Sequence, residues 1–247
     1  MKLVINPTDR PRPIKGTAKF ISKEQLSSFV YELTFEMVEP IEINFQSGQY
    51  IVLIISNTDR RQYSISTSPQ NKKQFKVALD IKPNGKGVNY LMNLNPGDEI
   101  NMIGQIGLFV LAPSLSKDLY FLATGTGIAP LKSMVEDLIS KDQAKDHNIK
   151  VIFGTRYIND IFYQELFNEY LQKDLIKEYK IYLSRPDKEY SGLYEGYITK
   201  YFESKTLEDL KNGQFYVCGG NEMIKSMEAM LLEKGVSESA IFYEKFY

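Results

Sequence analysis

The chain has 247 residues, of which 43% are hydrophobic and 25% are charged, as in soluble globular proteins with one or two packed domains. Its 30 basic and 31 acidic residues leave a net charge of -1, too small for a strong overall field that would bind nucleic acid or an anionic membrane. One cysteine and one histidine exclude an internal disulfide, a four-thiolate iron–sulfur cluster and a multi-histidine metal site. No apolar run reaches the ~18 residues that span a bilayer, so we expect a cytoplasmic monomer without a metal.

The chain up to residue 114 has the pattern of short strands joined by turns. Turn sequences such as Pro83-Asn84-Gly85 and Asn95-Pro96-Gly97-Asp98 separate segments rich in β-branched and aromatic residues. The predicted strands are Phe29 to Phe35, Gln49 to Ile55, Arg61 to Ser66 and Gln74 to Ile81. Only Val88 to Leu94 has the pattern of a helical turn. This organisation predicts a closed or nearly closed antiparallel β-barrel with Greek-key connections over residues 1–114.

From about Asp118, short apolar runs alternate with amphipathic segments. The predicted strands are Leu119 to Ala123, Lys150 to Phe153, Lys180 to Leu183 and Gln214 to Cys218. Apolar residues recur at helical spacing between the first two strands, and a later helix from about Glu222 to Lys234 ends before Gly235. Alternating strands and helices predict an α/β domain with a doubly wound parallel sheet over residues 115–247.

The segment ATGTGIAP, from Ala123 to Pro130, follows a predicted strand and opens a predicted helix. Gly125 and Gly127 let a ligand approach the backbone, and the helix N-terminus supplies free N–H groups with a partial positive charge. Pro130 suits the first turn, although it stands where the GxGxxG dinucleotide pattern has its third glycine. The segment therefore fits either a phosphate-binding loop or an ordinary tight turn.

Three further segments carry candidate chemistry. Arg61-Gln62-Tyr63-Ser64 combines a cation, an aromatic ring and a hydroxyl on one strand, which suits a phosphate, a flat ring and a ring heteroatom but also a solvated strand face. Gly104 to Phe109 and Val217 to Asn221 are each compatible with turns, the latter containing the single cysteine, Cys218.

In their order along the chain, these segments resemble the ferredoxin–NADP reductase family. The resemblance extends from about residue 15 to Tyr247 and is carried by RQYS, GKGVNYL, PGDEI, GQIGLF, ATGTGIAP, FGTRYINDIFYQEL, LSRP, VCGG and the terminal EKFY. It is greatest to the compact bacterial ferredoxin or flavodoxin NADP reductases. The resemblance implies FAD and NADP(H) as cofactors and hydride transfer between nicotinamide C4 and flavin N5.

For the flavin, the resemblance implies that Arg61 binds a phosphate, Tyr63 packs against the isoalloxazine and Ser64 hydrogen-bonds near N5. Val88 stands where the family usually has Ser or Thr, which leaves FMN as an alternative to FAD. The implied flavin-binding residues are Arg61, Gln62, Tyr63, Ser64, Gly85, Gly87, Val88, Asn89, Phe246 and Tyr247. Cys218 and Glu244 resemble the pair that borders the reacting atoms, and the terminal aromatic resembles the one that stacks on the flavin. The implied catalytic residues are Ser64, Cys218, Glu244 and Tyr247.

For the nicotinamide nucleotide, Ser184-Arg185 matches the family pair that binds the 2′-phosphate, which favours NADPH over NADH. Tyr197 stands where the family often has a further Arg. The implied nucleotide-binding residues are Thr124, Gly125, Thr126, Gly127, Pro130, Arg156, Ser184, Arg185, Gly219 and Lys225.

Three functions follow from the resemblance. The first is an NADPH–ferredoxin or flavodoxin reductase, in which a basic rim near the flavin meets an acidic partner. The rim residues are Lys15, Arg60, Lys72, Lys73 and Lys86. The second is an NAD(P)H-dependent reductase that serves an oxygenase component or reduces free flavin. The third is an electron-transfer or regulatory subunit, which commonly carries a cysteine cluster that this sequence lacks.

Overall fold

Two sheets, one antiparallel and one parallel, organise the computed structural model, which describes residues 12–186 and 191–246. No helix within those residues is both long and apolar enough to cross a membrane.

The first sheet is a barrel built from antiparallel strands. They are β1 (Ile14–Gln25), β2 (Val30–Glu39), β3 (Tyr50–Ile54), β4 (Arg60–Ser64), β5 (Gln74–Asp80) and β6 (Glu99–Ile106). Their order across the sheet is β4-β3-β6-β1-β2-β5. The two edges meet because Ile65 pairs with Val77 and the Ser66 N–H donates to the Lys76 carbonyl across 2.8 Å. The predicted antiparallel barrel is therefore confirmed.

Aromatic side chains fill the barrel interior. Phe35 stacks on Phe75 with ring centroids 5.4 Å apart, and Phe20 meets Phe35 edge-on at 5.6 Å. All three are nearly inaccessible to solvent because successive residues of a strand point to opposite faces, so alternate side chains point into the barrel.

Three barrel elements differ from the prediction. Strand β4 ends at Ser64 rather than Ser66, because the chain leaves β3 there and crosses to β5. Strands β1 and β6, which were not predicted, pair with each other at the middle of the sheet. Helix α1 (Lys86–Met92) begins two residues before the predicted turn, with Gly85 as its extended N-cap.

The second sheet is parallel and carries helices. Its strands are β7 (Asp118–Thr124), β8 (Asn148–Thr155), β9 (Glu178–Leu183), β10 (Tyr194–Glu195), β11 (Gly213–Gly220) and β12 (Ile241–Phe246). The helices are α2 (Ile128–Ser140), α3 (Gln164–Gln172), α4 (Lys200–Glu203), α5 (Leu207–Leu210) and α6 (Asn221–Glu233). The α/β parallel-sheet prediction is confirmed, and the terminal segment forms a strand, β12, that was not predicted.

The strand order β10-β9-β8-β7-β11-β12 determines where a ligand can bind. The chain winds outward from β7 through β8 and β9, and β11 then pairs with the other side of β7. The order reverses between β7 and β11, so a crevice opens beyond their carboxyl ends. The turns of Thr124 to Gly127 and Cys218 to Gly220 lie at that position.

Candidate active site

Ser64, Cys218 and Glu244 come together where the barrel meets the parallel sheet. Ser64 is the last residue of β4, and its Oγ donates a hydrogen bond to Glu244 Oε2 across 3.4 Å. Cys218 on β11 is paired in register with Glu244 on β12 and with Ala123 on β7. Residues 180 positions apart in the sequence therefore form one cluster with members from both sheets.

Burial sets the protonation of this cluster. Burial raises the pKa of Glu244 to about 7, although the hydrogen bond from Ser64 acts in the opposite direction. Burial and the charge of Glu244 raise the pKa of the Cys218 thiol well above its usual value. Cys218 therefore remains a neutral thiol at neutral pH, whereas Glu244 can take up or release a proton there.

The turns after β7 and β11 pack closely enough to require glycine. A Cβ on Gly127 would lie 2.2 Å from the Cys218 carbonyl oxygen, and a Cβ on Gly219 would lie 2.2 Å from Thr124 Oγ1. Gly125, at φ +54°, borders open space. The Ile128 N–H at the start of α2 donates to the carbonyls of Gly125 and Thr126, and the turn itself has a glycine on either side of Thr126, so a phosphate group can approach its backbone closely.

A cavity of about 590 Å³ opens at the carboxyl end of the parallel sheet. This volume lies in the range of about 300–1,000 Å³ that is usual for small-molecule and cofactor sites. Predicted nucleotide-binding residues line its walls: Thr124, Gly125, Thr126, Arg156 and Ser184. The barrel contributes Lys82, which forms an ion pair of 2.9 Å with Asp160 of the second domain at the cavity wall.

Two predicted nucleotide-binding cations do not line this cavity. Arg185 is exposed, and its backbone N–H donates to the Arg156 carbonyl across 2.9 Å. Ser184 lines the cavity instead. Lys225 is exposed on α6 and lies 3.3 Å from Glu222 Oε1, so its charge is directed toward that carboxylate.

The RQYS strand and the start of α1 form a second cradle, on the barrel. The Arg61 side chain crosses Gly87 so closely that a Cβ there would lie 2.7 Å from Arg61 Cγ. Tyr63 points to the same face as Arg61, and burial raises the pKa of its hydroxyl to about 12. Gly85, the N-cap of α1, borders open space, whereas Val88 is half-buried against the barrel core. Gln62 and Asn89 are exposed.

Family models match both halves of the chain. Residues 17–111 match the oxidoreductase FAD-binding domain, and residues 121–229 match the oxidoreductase NAD-binding domain. Ferredoxin–NADP reductase B of Sorangium cellulosum is 28% identical over 238 residues, which cover 93% of this chain and 96% of that protein. The CDP-6-deoxy-L-threo-D-glycero-4-hexulose-3-dehydrase reductase of Yersinia pestis is 30% identical over 233 residues, 92% of this chain and 68% of that protein. The chain belongs to the ferredoxin–NADP reductase family.

The fold of this reductase agrees with solved structures. The ferredoxin NADP+ reductase of Neisseria gonorrhoeae, solved with FAD and NADP, superimposes with a TM-score of 0.77 at 18% identity, covering 94% of this chain and 99% of that one. The domain boundary predicted after residue 114 remains a prediction; it falls between β6, which ends at Ile106, and β7, which begins at Asp118.

The barrel cradle of the reductase fits FAD. A guanidinium beside uncapped helical N–H groups suits a pyrophosphate, because it combines a fixed positive charge with hydrogen-bond donors. A half-buried aromatic ring and the Ser64 hydroxyl follow on the same strand, which suits a flat ring with a polar edge. Arg61, Tyr63 and Ser64 are the residues that would hold the flavin.

The structure places the backbone of one of the two terminal aromatics that were predicted to stack on the flavin. Phe246 is the last residue of β12, paired in register with Gly220, so its backbone lies at the site. Tyr247 lies outside the described residues, and its predicted role stays a prediction.

Several residues around the site were not predicted. Tyr50 lies opposite Ser64 in the β3–β4 ladder, and burial, followed by the charge of Glu244, raises the pKa of its hydroxyl. Glu32, Lys132 and Tyr163 form a buried polar group between the two domains. The available signal was Lys132, a cation among the buried residues of α2. Its ion pair with Glu136 is local, but Ser66 and Tyr163 lie far away in the sequence, so no local motif could identify those contacts.

Proposed function

We propose that this reductase transfers a hydride from NADPH to FAD and delivers the electrons singly to a ferredoxin or flavodoxin. The observation that carries the proposal is the Ser64–Glu244 hydrogen bond next to Cys218, at the point where the flavin cradle reaches the carboxyl edge of the parallel sheet. FAD, when bound, supplies the chemistry of accepting a hydride and releasing electrons one at a time. The chain's own residues bind and orient the two ligands and donate or accept protons.

In this proposal, the two ligands are held from opposite sides. Arg61 and the N–H groups of α1 bind the flavin phosphates, and Tyr63 packs on the ring. The backbone of Gly125 to Gly127 and the N-terminus of α2 bind the nicotinamide nucleotide phosphates. Because β4, β7 and β11 bring these segments to one place, both rings would lie at the Ser64–Cys218–Glu244 cluster, in which Ser64 and Cys218 are buried and Glu244 is half-buried.

Protons move at Ser64 and Glu244. The Ser64 hydroxyl can donate either to Glu244 or to a flavin nitrogen, so the two residues form a short path for a proton. A pKa of about 7 lets Glu244 serve as donor or acceptor near neutral pH without a large energetic cost.

The choice of NADPH over NADH rests on Ser184 and Arg185. Ser184 lines the cavity and Arg185 stands next to it at the exposed rim. An exposed guanidinium in the bend after β9 can turn toward a phosphate, and its planar fork suits two phosphate oxygens.

The electron acceptor in this proposal is an acidic ferredoxin or flavodoxin. Exposed cations on the barrel supply an attractive surface: Lys15, Arg60, Lys72, Lys73 and Lys86. The name of the Sorangium cellulosum relative supports a ferredoxin as partner.

Anaerobic stopped-flow absorbance tests the proposal. The flavin band of the purified protein is followed after mixing with NADPH and, separately, with NADH. We expect NADPH to bleach the band at least tenfold faster at equal concentration, and the reduced protein to pass electrons to an added ferredoxin or flavodoxin.

Other outcomes would select or exclude functions. A preference for NADH, with release of reduced flavin or electron transfer to an oxygenase component, would favour the second function. A protein that binds no added flavin would overturn the proposal.

A further inference from the structure

A buried polar network connects the flavin strand to the nucleotide-binding helix. We call it the interdomain latch and define it as Glu32, Ser66, Lys132 and Tyr163. Glu32 belongs to the barrel strand β2 and is 5% exposed; Ser66 follows β4 and is 0% exposed. Lys132 lies on α2 and is 6% exposed, and Tyr163 is the N-cap of α3.

Two of the three hydrogen bonds of the latch cross between the domains, and the third joins Ser66 to Glu32 within the barrel. Glu32 Oε1 accepts from Ser66 Oγ at 2.8 Å and from Tyr163 Oη at 2.6 Å. Lys132 Nζ donates to the Ser66 carbonyl oxygen at 3.0 Å and lies 5.2 Å from the centre of the Tyr163 ring. Ser66 therefore contacts both domains. Its hydroxyl donates to Glu32 of the barrel, and its carbonyl accepts from Lys132 of α2.

The charges of the latch are balanced by neighbouring groups. Lys76 Nζ lies 2.9 Å from Glu32 Oε2, and Lys132 Nζ lies 2.8 Å from Glu136 Oε1. Burial alone would raise the pKa of Glu32, but Lys132, Tyr163 and Lys76 outweigh burial and lower it. Glu32 therefore stays ionised and keeps all of its donors at neutral pH.

Stability alone does not explain such a network. Replacing a buried ion pair by apolar side chains of similar size is often neutral or stabilising, because desolvation offsets most of the attraction. Hydrogen bonds differ from apolar contacts in being directional, since they weaken steeply when their angle changes. A buried polar network thus sets the relative position of two elements more strictly than apolar packing does.

The elements that the latch connects both lead into the site. Ser66 follows Ser64 by two residues, and Lys132 lies one turn into the helix that begins after Gly127. A shift of either element would change the separation between a ring held by Tyr63 and Ser64 and a ring held at the start of α2. A displacement of about 1 Å can slow an enzymatic step by about a hundredfold.

We infer that Glu32, Lys132 and Tyr163 are positioning residues for hydride transfer, which hold the flavin strand and the nucleotide-binding helix at the reacting distance. This inference rests on the proposed function. It assigns a role in the reaction to residues that lie outside the Ser64–Cys218–Glu244 cluster and do not line the cavity.

The test compares Lys132→Met with wild type, with Glu32→Gln as the conservative variant and Lys173→Met as the matched control. Met keeps most of the length and the apolar stem of Lys132 but removes its hydrogen bond to Ser66 and its ion pair with Glu136. Lys173 lies just after α3 and is 61% exposed beside Glu169, so its replacement removes an ion pair outside the latch.

Anaerobic stopped-flow at several NADPH concentrations separates the limiting rate of flavin reduction from the apparent Kd. We expect Lys132→Met to lower the limiting rate about tenfold to a hundredfold, with the Kd within twofold and FAD content unchanged. Glu32→Gln should fall in between, because Gln still accepts from Ser66 or Tyr163, and Lys173→Met should match wild type.

Hydrogen–deuterium exchange on the protein with and without FAD supplies a readout apart from activity. In Lys132→Met, amides of residues 65–68 and 128–136 should exchange faster, whereas those of β1 should not change. A limiting rate within twofold of wild type would overturn the inference. A joint loss of rate, affinity and FAD content would also overturn it, because it would indicate a purely structural role.

These outcomes are distinct from failure of the proposed function. If neither NADPH nor NADH bleaches the wild-type protein, the proposed function fails and the positioning role falls with it. If wild type is bleached and Lys132→Met is bleached equally fast, only the positioning role fails.

Discussion

Glu244 has an ordinary carboxyl group whose chemistry is set by its position on β12. It is half-buried beside Cys218 and has one hydroxyl donor, Ser64. Few donors and little water make the ionised form costly, so the pKa rises to about 7. The same surroundings raise the pKa of the Cys218 thiol well above its usual value. At neutral pH the thiol therefore stays protonated, whereas the Glu244 carboxyl can exchange a proton.

Glu244→Gln tests this pKa through stability. The carboxyl binds a proton more readily in the folded protein, with a pKa of about 7, than in the unfolded chain, near 4.5. Wild type should therefore lose stability relative to Glu244→Gln as the pH rises from 4.5 through 7, by about 3 kcal/mol at pH 8. Urea unfolding of the FAD-free proteins at several pH values measures the difference. A difference that stays constant with pH would contradict the raised pKa.

Arg185→Ala tests the choice of nucleotide. A hydrogen-bonded charge pair contributes about 1.5–3 kcal/mol, so we expect the Kd for NADPH to rise about 10-fold to 100-fold while that for NADH stays unchanged. The rate of flavin reduction at several concentrations of each nucleotide gives both values. Lys225→Ala is the control, because Lys225 is already beside Glu222. Equal losses for NADPH and NADH would mean that Arg185 does not contact the 2′-phosphate.

At the scale of elements, α2 combines two tasks. Its N-terminus lies behind the Gly125–Gly127 turn, and its body is buried between the parallel sheet and the barrel. Because both flanks are covered, polar residues such as Lys132, Ser133 and Asp137 are buried together with the apolar ones and need partners. Ser133 Oγ donates to the Thr67 carbonyl at 2.5 Å, which adds a further bond to the segment after β4.

Gly127→Ala tests the contact between the two turns. The new methyl group would lie 2.2 Å from the Cys218 carbonyl oxygen, so the turn after β7 must move away from β11. We expect a loss of about 1–3 kcal/mol in the free energy of unfolding, with weaker nucleotide binding. Gly220→Ala is the control, because a Cβ there meets nothing within 4 Å and φ is -67°. Urea unfolding and nucleotide titration should separate the two variants; equal stability would contradict the close contact.

At the scale of the whole molecule, the two sheets are joined by polar contacts on both sides of α2. The latch lies on one side, and Asp137 lies on the other, 3% exposed. Asp137 Oδ2 accepts from Ser47 Oγ at 3.0 Å and from Lys141 Nζ at 2.8 Å. The Lys82–Asp160 pair adds a third connection at the cavity wall. Together with Val30 and Ala78 of the barrel, which pack into the core of the second domain, these contacts explain how the two domains present one site.

Asp137→Ala tests the second connection. Removing the carboxylate leaves the buried Ser47 hydroxyl without its acceptor, and we expect a loss of about 1–3 kcal/mol in the free energy of unfolding. Glu169→Ala is the control, because Glu169 is 53% exposed in its ion pair with Lys173, and it should change stability by less than about 0.5 kcal/mol. Chemical denaturation of both variants measures the effect. Equal stabilities would mean that the Asp137 contacts do not hold the domains together.

Local sequence patterns determined the class of each domain and the positions of its turns. Strand alternation, helical spacing and glycine-rich turns are local properties, so RQYS could be assigned to a strand and ATGTGIAP to the junction of a strand and a helix. The resemblance to the reductase family likewise depends on motifs within short segments. Strands without a clear pattern, such as β1 and β6, were missed, because their formation depends on pairing with distant partners.

Only the tertiary structure decided which of these residues meet. Ser64 and Glu244 are separated by 180 positions, and no local pattern reports a contact at that range. Glu32, Lys132 and Tyr163 come from three elements and carry no motif, so their connection became visible only with the domains packed together. Likewise, Arg185 and Ser184 are neighbours in the sequence, yet only Ser184 lines the cavity, because the direction of a side chain depends on the backbone that carries it. The sequence by itself determined the elements and the family, whereas long-range packing determined the site, its burial and its pKa values.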